Sequence, residues 1–477
     1  MSSQRHVRPL SLSLVLKCLS IGANAICAGG VFTLPLLSPR LVSHLKFNQL
    51  QLTTIVLTGM VSQYPLAFVA GRTVDCYGPQ TCSLIAAIFY CLSFGGISVE
   101  ISRWSDELSY PPSSTFHLFV FYSLMAGFAT VFSYYSSLFA SSKTFPNYIG
   151  ISSGASMALF GLSPLFLTTI ATKWFTDDLV TLDPVKYMSF LAALTGTVHL
   201  AGALALKVPG QKATASNLEC NLVLVDENTS LLHHLPDEPI LRAATVRPGP
   251  IPPLKDPSFW MLALFCLFAL GPAEMVISNI ATIFLALPSR RPFPPSSTNS
   301  AARQVQLLSI SNTAVRVITG LIADLVSPAA SLVNGNAVFY RKHFISRVFF
   351  MTLPSLLLAL TFLWTSVFAR TQADVWVLSF GVGVGYGTIF TILPSIVSAI
   401  WGMDDLGGNF GILMNAPFAG TTIFSYLYAL VSQAHTKADG MCIGSSCWQL
   451  TFWISAGTSL ISLGLSVNLW QKWRGRL

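Results

Sequence analysis

Charged residues are scarce in this chain, and their scarcity excludes an ordinary water-soluble globule. Asp, Glu, Lys and Arg make up 10% of the 477 residues, and hydrophobic residues make up 52%. Soluble domains carry about a quarter charged residues. Apolar stretches of about 20 residues with few charges are the length that a helix needs to cross the hydrocarbon core of a bilayer. The composition therefore predicts an integral membrane protein.

Patterns that bind metals, phosphates or nucleic acids are missing as well. The 8 histidines form no helical metal pair, and the 9 cysteines are scattered. The glycine run at Gly383, Gly385 and Gly387 lacks the lysine of a phosphate loop. No cluster of Lys and Arg with interleaved aromatic residues indicates nucleic-acid binding. We predict no cofactor, no metal, no nucleic-acid partner and no enzymatic activity.

Two cysteines, Cys442 and Cys447, lie close together in a polar loop. A disulfide, a weak metal site and two unrelated loop thiols are all compatible with this spacing. The sequence does not decide among the three.

Twelve apolar stretches of spanning length fall into two sets of six, which predicts an all-α membrane protein with twelve transmembrane helices. We predict an N-terminal six-helix half over 1–207, a cytosolic central loop over 208–256 and a C-terminal six-helix half over 257–477. Lys and Arg are more numerous on the side of the termini and the central loop, which places that side in the cytosol. The predicted spans are 12–37, 48–70, 80–101, 116–140, 148–172, 186–207, 257–287, 304–326, 344–368, 374–400, 407–433 and 449–471.

Similar residue patterns recur in the two halves and indicate that the halves are pseudo-repeats of one six-helix unit. The run 127–132 in the fourth span parallels 385–390 in the tenth, and the same offset pairs Gly150 with Gly408. Parallel repeats of this kind occur in a large transporter fold.

The segment from Gly71 to Gly78 resembles the loop signature of the major facilitator superfamily, Gly-x-x-x-Asp-x-x-Gly, and lies between spans two and three. The basic residues that end the family signature are absent here. The resemblance implies that Gly71, Asp75 and Gly78 belong to a cytosolic gate, with Asp75 capping a helix N-terminus or pairing with a basic residue. Gly320-x-x-x-Asp324, at the end of span eight, repeats the pattern and is assigned to the same gate.

Over most of its length the chain is similar to the fungal monocarboxylate-transporter-homologue group of probable transporters. The similarity rests on 20–24, on the eighth-span run 309–316 and on 383–388. It implies a transporter of the vacuole membrane and leaves the transported solute open.

Arg316 is the strongest candidate for a substrate-binding residue. A guanidinium deep in an apolar helix is costly and is normally kept where it faces a cavity or a partner, and its fork fits a carboxylate. Animal monocarboxylate carriers are similar in this span and have an acidic residue one turn earlier, where this chain has Asn312. The resemblance implies that Arg316 binds an anionic substrate and that the proton-accepting role of the acidic residue is lost at Asn312. We keep Asn312 as a candidate substrate-binding residue. An interhelical ion pair of Arg316 is the alternative.

Glu274 lies in the middle of span seven beside Gly271 and Pro272. Burial in an apolar span raises the pKa of a carboxyl group toward neutrality, which predicts that Glu274 carries protons. The alternative is a pair with Arg316 or Lys17 that fixes the helix packing.

Further polar side chains lie on spans that line the central cavity in the superfamily. Their hydrogen-bonding groups on largely apolar bodies suit substrate orientation, although each could also serve interhelical packing. The candidates are Asn24, Tyr134, Tyr386 and Thr388.

The central loop contains Glu227, Leu231 and Leu232 in the spacing of an acidic dileucine sorting signal. This spacing predicts binding to a sorting adaptor and agrees with a vacuolar location. An ordinary linker is the alternative.

Together these observations predict a secondary or facilitative transporter of a small solute that works by alternating access. An organic anion such as a monocarboxylate is the predicted solute, with protons as a candidate co-substrate. A transporter-like nutrient sensor that binds solute without net flux is the alternative.

Overall fold

The computed structural model describes most of the chain outside the central loop. The described residues are 12–37, 41, 47, 49–103, 113–145, 148–175, 182–206, 253–288, 297–327, 330–333, 336–339, 345–402, 405–435 and 442–474.

Helices account for nearly all of the described structure. The helices before the central loop are α1 (Leu12–Cys27) with a 3-10 continuation (Ala28–Leu37), α2 (Gln49–Val61), α3 (Ala67–Tyr77), α4 (Pro79–Ser102), α5 (Ser113–Thr144), α6 (Ile149–Trp174) and α7 (Pro184–Ala205). The helices after it are α8 (Pro257–Leu285), α9 (Ser297–Val326), α10 (Phe349–Phe368), α11 (Trp376–Trp401), α12 (Leu406–Leu413), α13 (Asn415–Ala434) and α14 (Gln449–Lys472).

Two of the predicted spans are interrupted. Within the described ranges, 10 helices are long and apolar enough to cross a membrane without a break. The second and eleventh predicted spans are each divided, into α2 with α3 and into α12 with α13. The predicted all-helical, multi-pass membrane fold is confirmed, with these two breaks as the difference from twelve continuous helices.

Proline explains where both breaks fall. The first helix of each interrupted span ends four residues before a proline, at Val61 before Pro65 and at Leu413 before Pro417. A proline has no N–H to donate to the carbonyl four residues earlier, and its ring clashes with that carbonyl. At the first break the Tyr64 amide bonds the Val61 carbonyl instead, at 3.2 Å.

A short hairpin is added to the helical fold. Strand β1 (Ala330–Val333) pairs antiparallel with β2 (Asn336–Phe339), between α9 and α10. The sequence did not predict these strands.

The helices differ strongly in how much of their surface the protein itself covers. In α11, 72% of the apolar stretch is buried, whereas in α9 the share is 28%. Large apolar side chains such as Leu204 and Leu360 are exposed on outer faces, as expected for helices surrounded by lipid. Helix α11 therefore lies at the centre of the bundle, and polar residues on it face other helices.

The loop cysteines form a disulfide. Cys442 and Cys447 are bonded, with their Cα atoms 5.8 Å apart. Of the three alternatives that the spacing left open, the structure has the disulfide.

The predicted sorting residues, Glu227, Leu231 and Leu232, lie outside the described residues.

Candidate functional site

Arg316 lies on α9 and is buried, with 5% of its surface exposed. Its Nε donates a hydrogen bond to Oδ1 of Asn312 at 3.0 Å, one helical turn earlier. Its Nη1 donates to the carbonyl oxygen of Met157 on α6 at 3.3 Å. A guanidinium carries five N–H donors, so the described residues leave three of them available.

Two aromatic rings lie beside the guanidinium of Arg316. Its guanidinium carbon is 5.8 Å from the ring centroid of Tyr386 and 5.9 Å from that of Phe390. None of the ion pairs found among the described residues includes Arg316. The predicted interhelical ion pair is therefore not the arrangement seen in this part of the chain. Ring faces attract a cation but do not neutralise its charge.

Glu274 lies on α8, with 7% of its surface exposed. Its carboxylate accepts hydrogen bonds from three hydroxyl groups. The Tyr64 hydroxyl lies 2.7 Å from Oε1 and 2.8 Å from Oε2. The Tyr386 hydroxyl donates to Oε1 at 2.9 Å, and the Thr421 hydroxyl donates to Oε2. These partners are neutral, so the predicted pairing of Glu274 with Arg316 or Lys17 is replaced by hydrogen bonds to hydroxyls.

Tyr386 connects the two buried charges. Its hydroxyl binds Glu274, and its ring faces the guanidinium of Arg316. Tyr134, on α5, packs nearby, with its ring centroid 4.9 Å from that of Phe160 on α6, the helix whose Met157 carbonyl accepts from Arg316. The structure thus brings together five of the seven predicted substrate-binding residues, namely Arg316, Asn312, Glu274, Tyr134 and Tyr386.

The other two predicted residues, Asn24 and Thr388, contact other helices in this structure. Asn24 is fully buried, and its side-chain amide donates to the Ser83 hydroxyl on α4 at 2.9 Å. The Thr388 hydroxyl donates to the Val384 carbonyl at 2.8 Å and lies 3.4 Å from the hydroxyl of Thr319 on α9. The Asn24–Ser83 and Thr388–Thr319 contacts join neighbouring helices, whereas the bond from Thr388 to Val384 lies within α11. A substrate-binding role for Asn24 and Thr388 stays a prediction.

Two members of the cluster were missed in the sequence, Tyr64 and Thr421. Each lies close to a proline that breaks its span, Tyr64 immediately before Pro65 and Thr421 shortly after Pro417. The available signal was a hydroxyl side chain beside a proline within an apolar span. That signal did not reveal the partner, because Glu274 is 210 residues from Tyr64 along the chain.

The predicted gate residues form two contacts, and the first joins α3 to α12. The Asp75 carboxylate accepts from the backbone amides of Gly407 at 3.1 Å and Gly408 at 2.7 Å, at the start of α12. A Cβ atom added to Gly71 would overlap the carbonyl oxygen of Gly407. We call this contact, made by Gly71, Asp75, Gly407 and Gly408, the first latch.

The second latch joins α9 to α6 and consists of Gly320, Asp324, Gly150 and Ile151. The Asp324 carboxylate accepts from the amides of Gly150 at 3.1 Å and Ile151 at 2.7 Å, at the start of α6. A Cβ atom on Gly320 would overlap the Gly150 carbonyl oxygen. Asp324 also pairs with Arg347 at 2.8 Å, and both side chains are almost completely buried.

The two latches are equivalent in position but differ in the burial of the ion pair at each. Each places a carboxylate from one group of helices on the positive N-terminus of a helix in the other group, which stabilises both charge and dipole. The ion pair beside the first latch, Arg72 with Asp405 at 3.0 Å, is about half exposed. Gly78, the last predicted gate residue, ends α3 with a φ of 85°, a backbone conformation that favours glycine.

Comparison with known proteins places this geometry in a family context. No protein-family model matches the chain. It is 27% identical to a probable transporter MCH1 of Gibberella zeae, with 96% of this chain and 89% of the relative covered. It is 26% identical to the probable transporter MCH1 of Candida albicans, with 95% and 91% covered. The predicted similarity to the fungal probable transporters is confirmed.

Two solved structures superpose on most of the chain. The proton:xylose symporter XylE superposes with a TM-score of 0.61 at 12% identity, covering 96% of this chain and 95% of XylE. This protein has the major facilitator fold. The human organic anion transporter MFSD10 superposes with a TM-score of 0.59 at 15% identity, covering 96% and 100%. In the major facilitator fold of this chain, the first latch joins spans two and eleven, and the second latch joins spans five and eight.

Proposed function

We propose that this protein transports a small organic anion across a membrane by alternating access. The observation that carries the proposal is Arg316, a buried guanidinium that has no acidic partner among the described residues. Its relatives are named probable transporters, and one structural neighbour is named an organic anion transporter. Those names favour a transporter over an enzyme.

The proposed substrate carboxylate binds the free donors of Arg316. An unpaired buried charge is destabilising, so an arriving anion gains both hydrogen bonds and charge neutralisation. A guanidinium can hold a carboxylate through two parallel N–H bonds. The rings of Tyr386 and Phe390 border the guanidinium and form an apolar side of the site.

Glu274 is the proposed proton carrier. It is a buried carboxylate whose described partners are all hydroxyl groups, and it shares Tyr386 with Arg316. A proton on Glu274 adds one positive charge to the site, and a carboxylate substrate on Arg316 adds one negative charge. The loaded site therefore has the same net charge as the empty site. XylE, which shares the fold, is named a proton symporter.

We propose that alternating access breaks the contacts within both latches. The helices of 1–207 and those of 257–477 are the proposed halves, and each latch contributes its carboxylate from a different half. Both carboxylates bind helix N-termini on one side of the protein, which we place in the cytosol. Breaking these caps opens the site to that side, in the rocking motion typical of such repeats.

Uptake into proteoliposomes tests the proposal. We expect labelled small carboxylates to enter saturably, and we expect Arg316→Ala to weaken their binding about tenfold to a hundredfold, as for a lost charge-assisted hydrogen bond. Arg303→Ala is the matched control, because Arg303 lies on the same helix and is exposed. An imposed pH gradient is expected to drive uptake by the wild type but not by Glu274→Gln.

Two outcomes of the uptake experiment contradict the proposal. Saturable binding without flux would identify a receptor rather than a transporter. Unchanged uptake by a folded Arg316→Ala variant would show that Arg316 is structural, and the reason for choosing an anion would be lost.

We further propose the vacuole membrane as the location, with support from the spacing of Glu227, Leu231 and Leu232. A fluorescently tagged protein is expected on the vacuole membrane in a fungal cell. Changing Leu231 and Leu232 together to alanine is expected to move it to the plasma membrane. Changing Leu222 and Leu224 to alanine is the control in the same loop. Plasma-membrane fluorescence of the unmodified protein would refute the location.

A further inference from the structure

The two interrupted spans meet at a single carboxylate. Tyr64 lies in the turn between α2 and α3, and Thr421 lies near the start of α13, just after the break that follows α12. Both hydroxyls bind the Glu274 carboxylate on α8. Glu274 therefore holds the break of span two against the break of span eleven, although these spans lie on opposite sides of the central loop in the sequence.

Direct packing between the breaks adds to this connection. The ring centroid of Tyr64 is 6.0 Å from that of Phe418, which belongs to the first turn of α13. Beyond the breaks, α3 and α12 run together at close range, because a Cβ atom on Gly411 would overlap the Ala67 carbonyl oxygen. The same two short helices end at the first latch. A continuous set of contacts thus leads from Glu274 to the latch.

We propose that Tyr64 and Thr421 are positioning residues that clasp the two proline breaks together through Glu274 and thereby keep the first latch closed. The clasp is Tyr64, Thr421 and Glu274. The Tyr386 hydroxyl also binds Glu274, and the Tyr386 ring faces Arg316. One part of the proposal rests on the proposed function, namely that a substrate bound to Arg316 acts on the clasp through Tyr386. A substrate that moves Tyr386 changes the hydrogen bonds of Glu274, and the clasp transmits that change to the latch.

The second latch provides an internal comparison. It joins α6 to α9, and each of these helices is continuous over its whole length. Its carboxylate, Asp324, is held by Arg347, and Glu274 is not among its described partners. Loss of the clasp should therefore affect the first latch and leave the second latch closed.

Amide hydrogen exchange of the full chain in nanodiscs, without substrate, measures both latches at once. The Gly407 and Gly408 amides report on the first latch, and the Gly150 and Ile151 amides report on the second. We expect Tyr64→Phe to accelerate exchange in the peptide that contains Gly407 and Gly408 about tenfold, since exchange follows the free energy of local opening. Exchange at Gly150 and Ile151 is expected to stay at the wild-type rate.

Matched variants separate the clasp from a general loss of packing. Thr421→Val is expected to act in the same direction as Tyr64→Phe. Thr422→Val is its neighbour control, because the Thr422 hydroxyl bonds only the backbone carbonyl of Phe418 among the described groups. Tyr426→Phe is the control for tyrosine, since Tyr426 is 65% exposed. Neither control is expected to change exchange at either latch.

Equal acceleration at both latches, or none for a folded Tyr64→Phe and Thr421→Val, would overturn the clasp. The exchange experiment contains no substrate, so its result does not depend on transport. If the uptake experiment fails while exchange at the first latch still responds to Tyr64→Phe, the proposed function is wrong and the clasp stands.

Discussion

Asp324→Asn is expected to destabilise the protein by about 3–5 kcal/mol, because it leaves the guanidinium of Arg347 as a buried cation without an anion. Arg347 is 2% exposed, and its other described acceptor is the Ser327 carbonyl oxygen, at 2.8 Å from Nε. The substitution also weakens the cap on α6. A fall in the thermal unfolding midpoint of the purified protein measures the effect, with all variants scanned at one rate because membrane proteins often unfold irreversibly.

Asp75→Asn is the matched control at the first latch. Asp75 caps α12 in the same manner, and the ion pair beside this latch, Arg72 with Asp405, is about half exposed. We expect a cost of about 0.5–2 kcal/mol, because Asn removes the negative charge at the helix N-terminus and its amide nitrogen cannot accept from the second backbone amide. Combining Asp324→Asn with Arg347→Met is expected to recover much of the lost stability, since the buried cation is then gone. Equal losses for the two single variants would show that the ion pair contributes nothing beyond the cap.

Gly71→Ala is expected to keep the first latch from closing. The new Cβ atom would overlap the Gly407 carbonyl oxygen, so α3 and α12 would have to separate. Overpacking of this kind costs about 1–3 kcal/mol. The cost falls on the closed state alone, which reduces its population about fivefold to a hundredfold. Spin labels at Tyr77 and Lys472, both exposed, should then show longer distances on the latch side.

Gly95→Ala provides the control for the same chemical change. A Cβ atom at Gly95 meets nothing within 4 Å, and alanine is the better helix former by about 1 kcal/mol. We therefore expect unchanged label distances and no loss of stability. A Gly71→Ala protein with wild-type distances would mean that the helices can shift enough to accept the methyl group, and the close approach at the first latch would not control opening.

Hydropathy was sufficient to predict the fold class, because a segment that crosses the bilayer must satisfy its backbone N–H and C=O groups within a helix and present apolar side chains to lipid. It did not reveal the breaks in spans two and eleven, because the residues around each break are uncharged and apolar residues resume directly after Pro65 and Pro417. Other prolines lie inside helices that remain continuous. These are Pro164, Pro272, Pro354 and Pro394. Whether a proline breaks a helix depends on the contacts that neighbouring helices offer to the freed backbone groups.

The sequence could likewise predict only some of the residues of the candidate site. Arg316 and Glu274 were predictable because a charge in an apolar span is costly and needs a reason. Their partners were not, since Tyr64 and Thr421 reach Glu274 from distant parts of the chain. Asn24 and Thr388 carry the same kind of polar group as the cluster residues, yet they bind other helices. Residue type alone does not determine which face of a helix points to the centre.

By itself the sequence determined the membrane class, the two sets of spans, and the repeated Gly-x-x-x-Asp pattern, because each of these depends on local composition or spacing. Only the tertiary structure decided that Asp75 caps α12 and Asp324 caps α6. It also decided that Glu274 is bound by hydroxyls rather than by Arg316. Each of these choices pairs groups that lie far apart in the sequence, and such pairs are selected by the packing of whole helices rather than by the residues beside them.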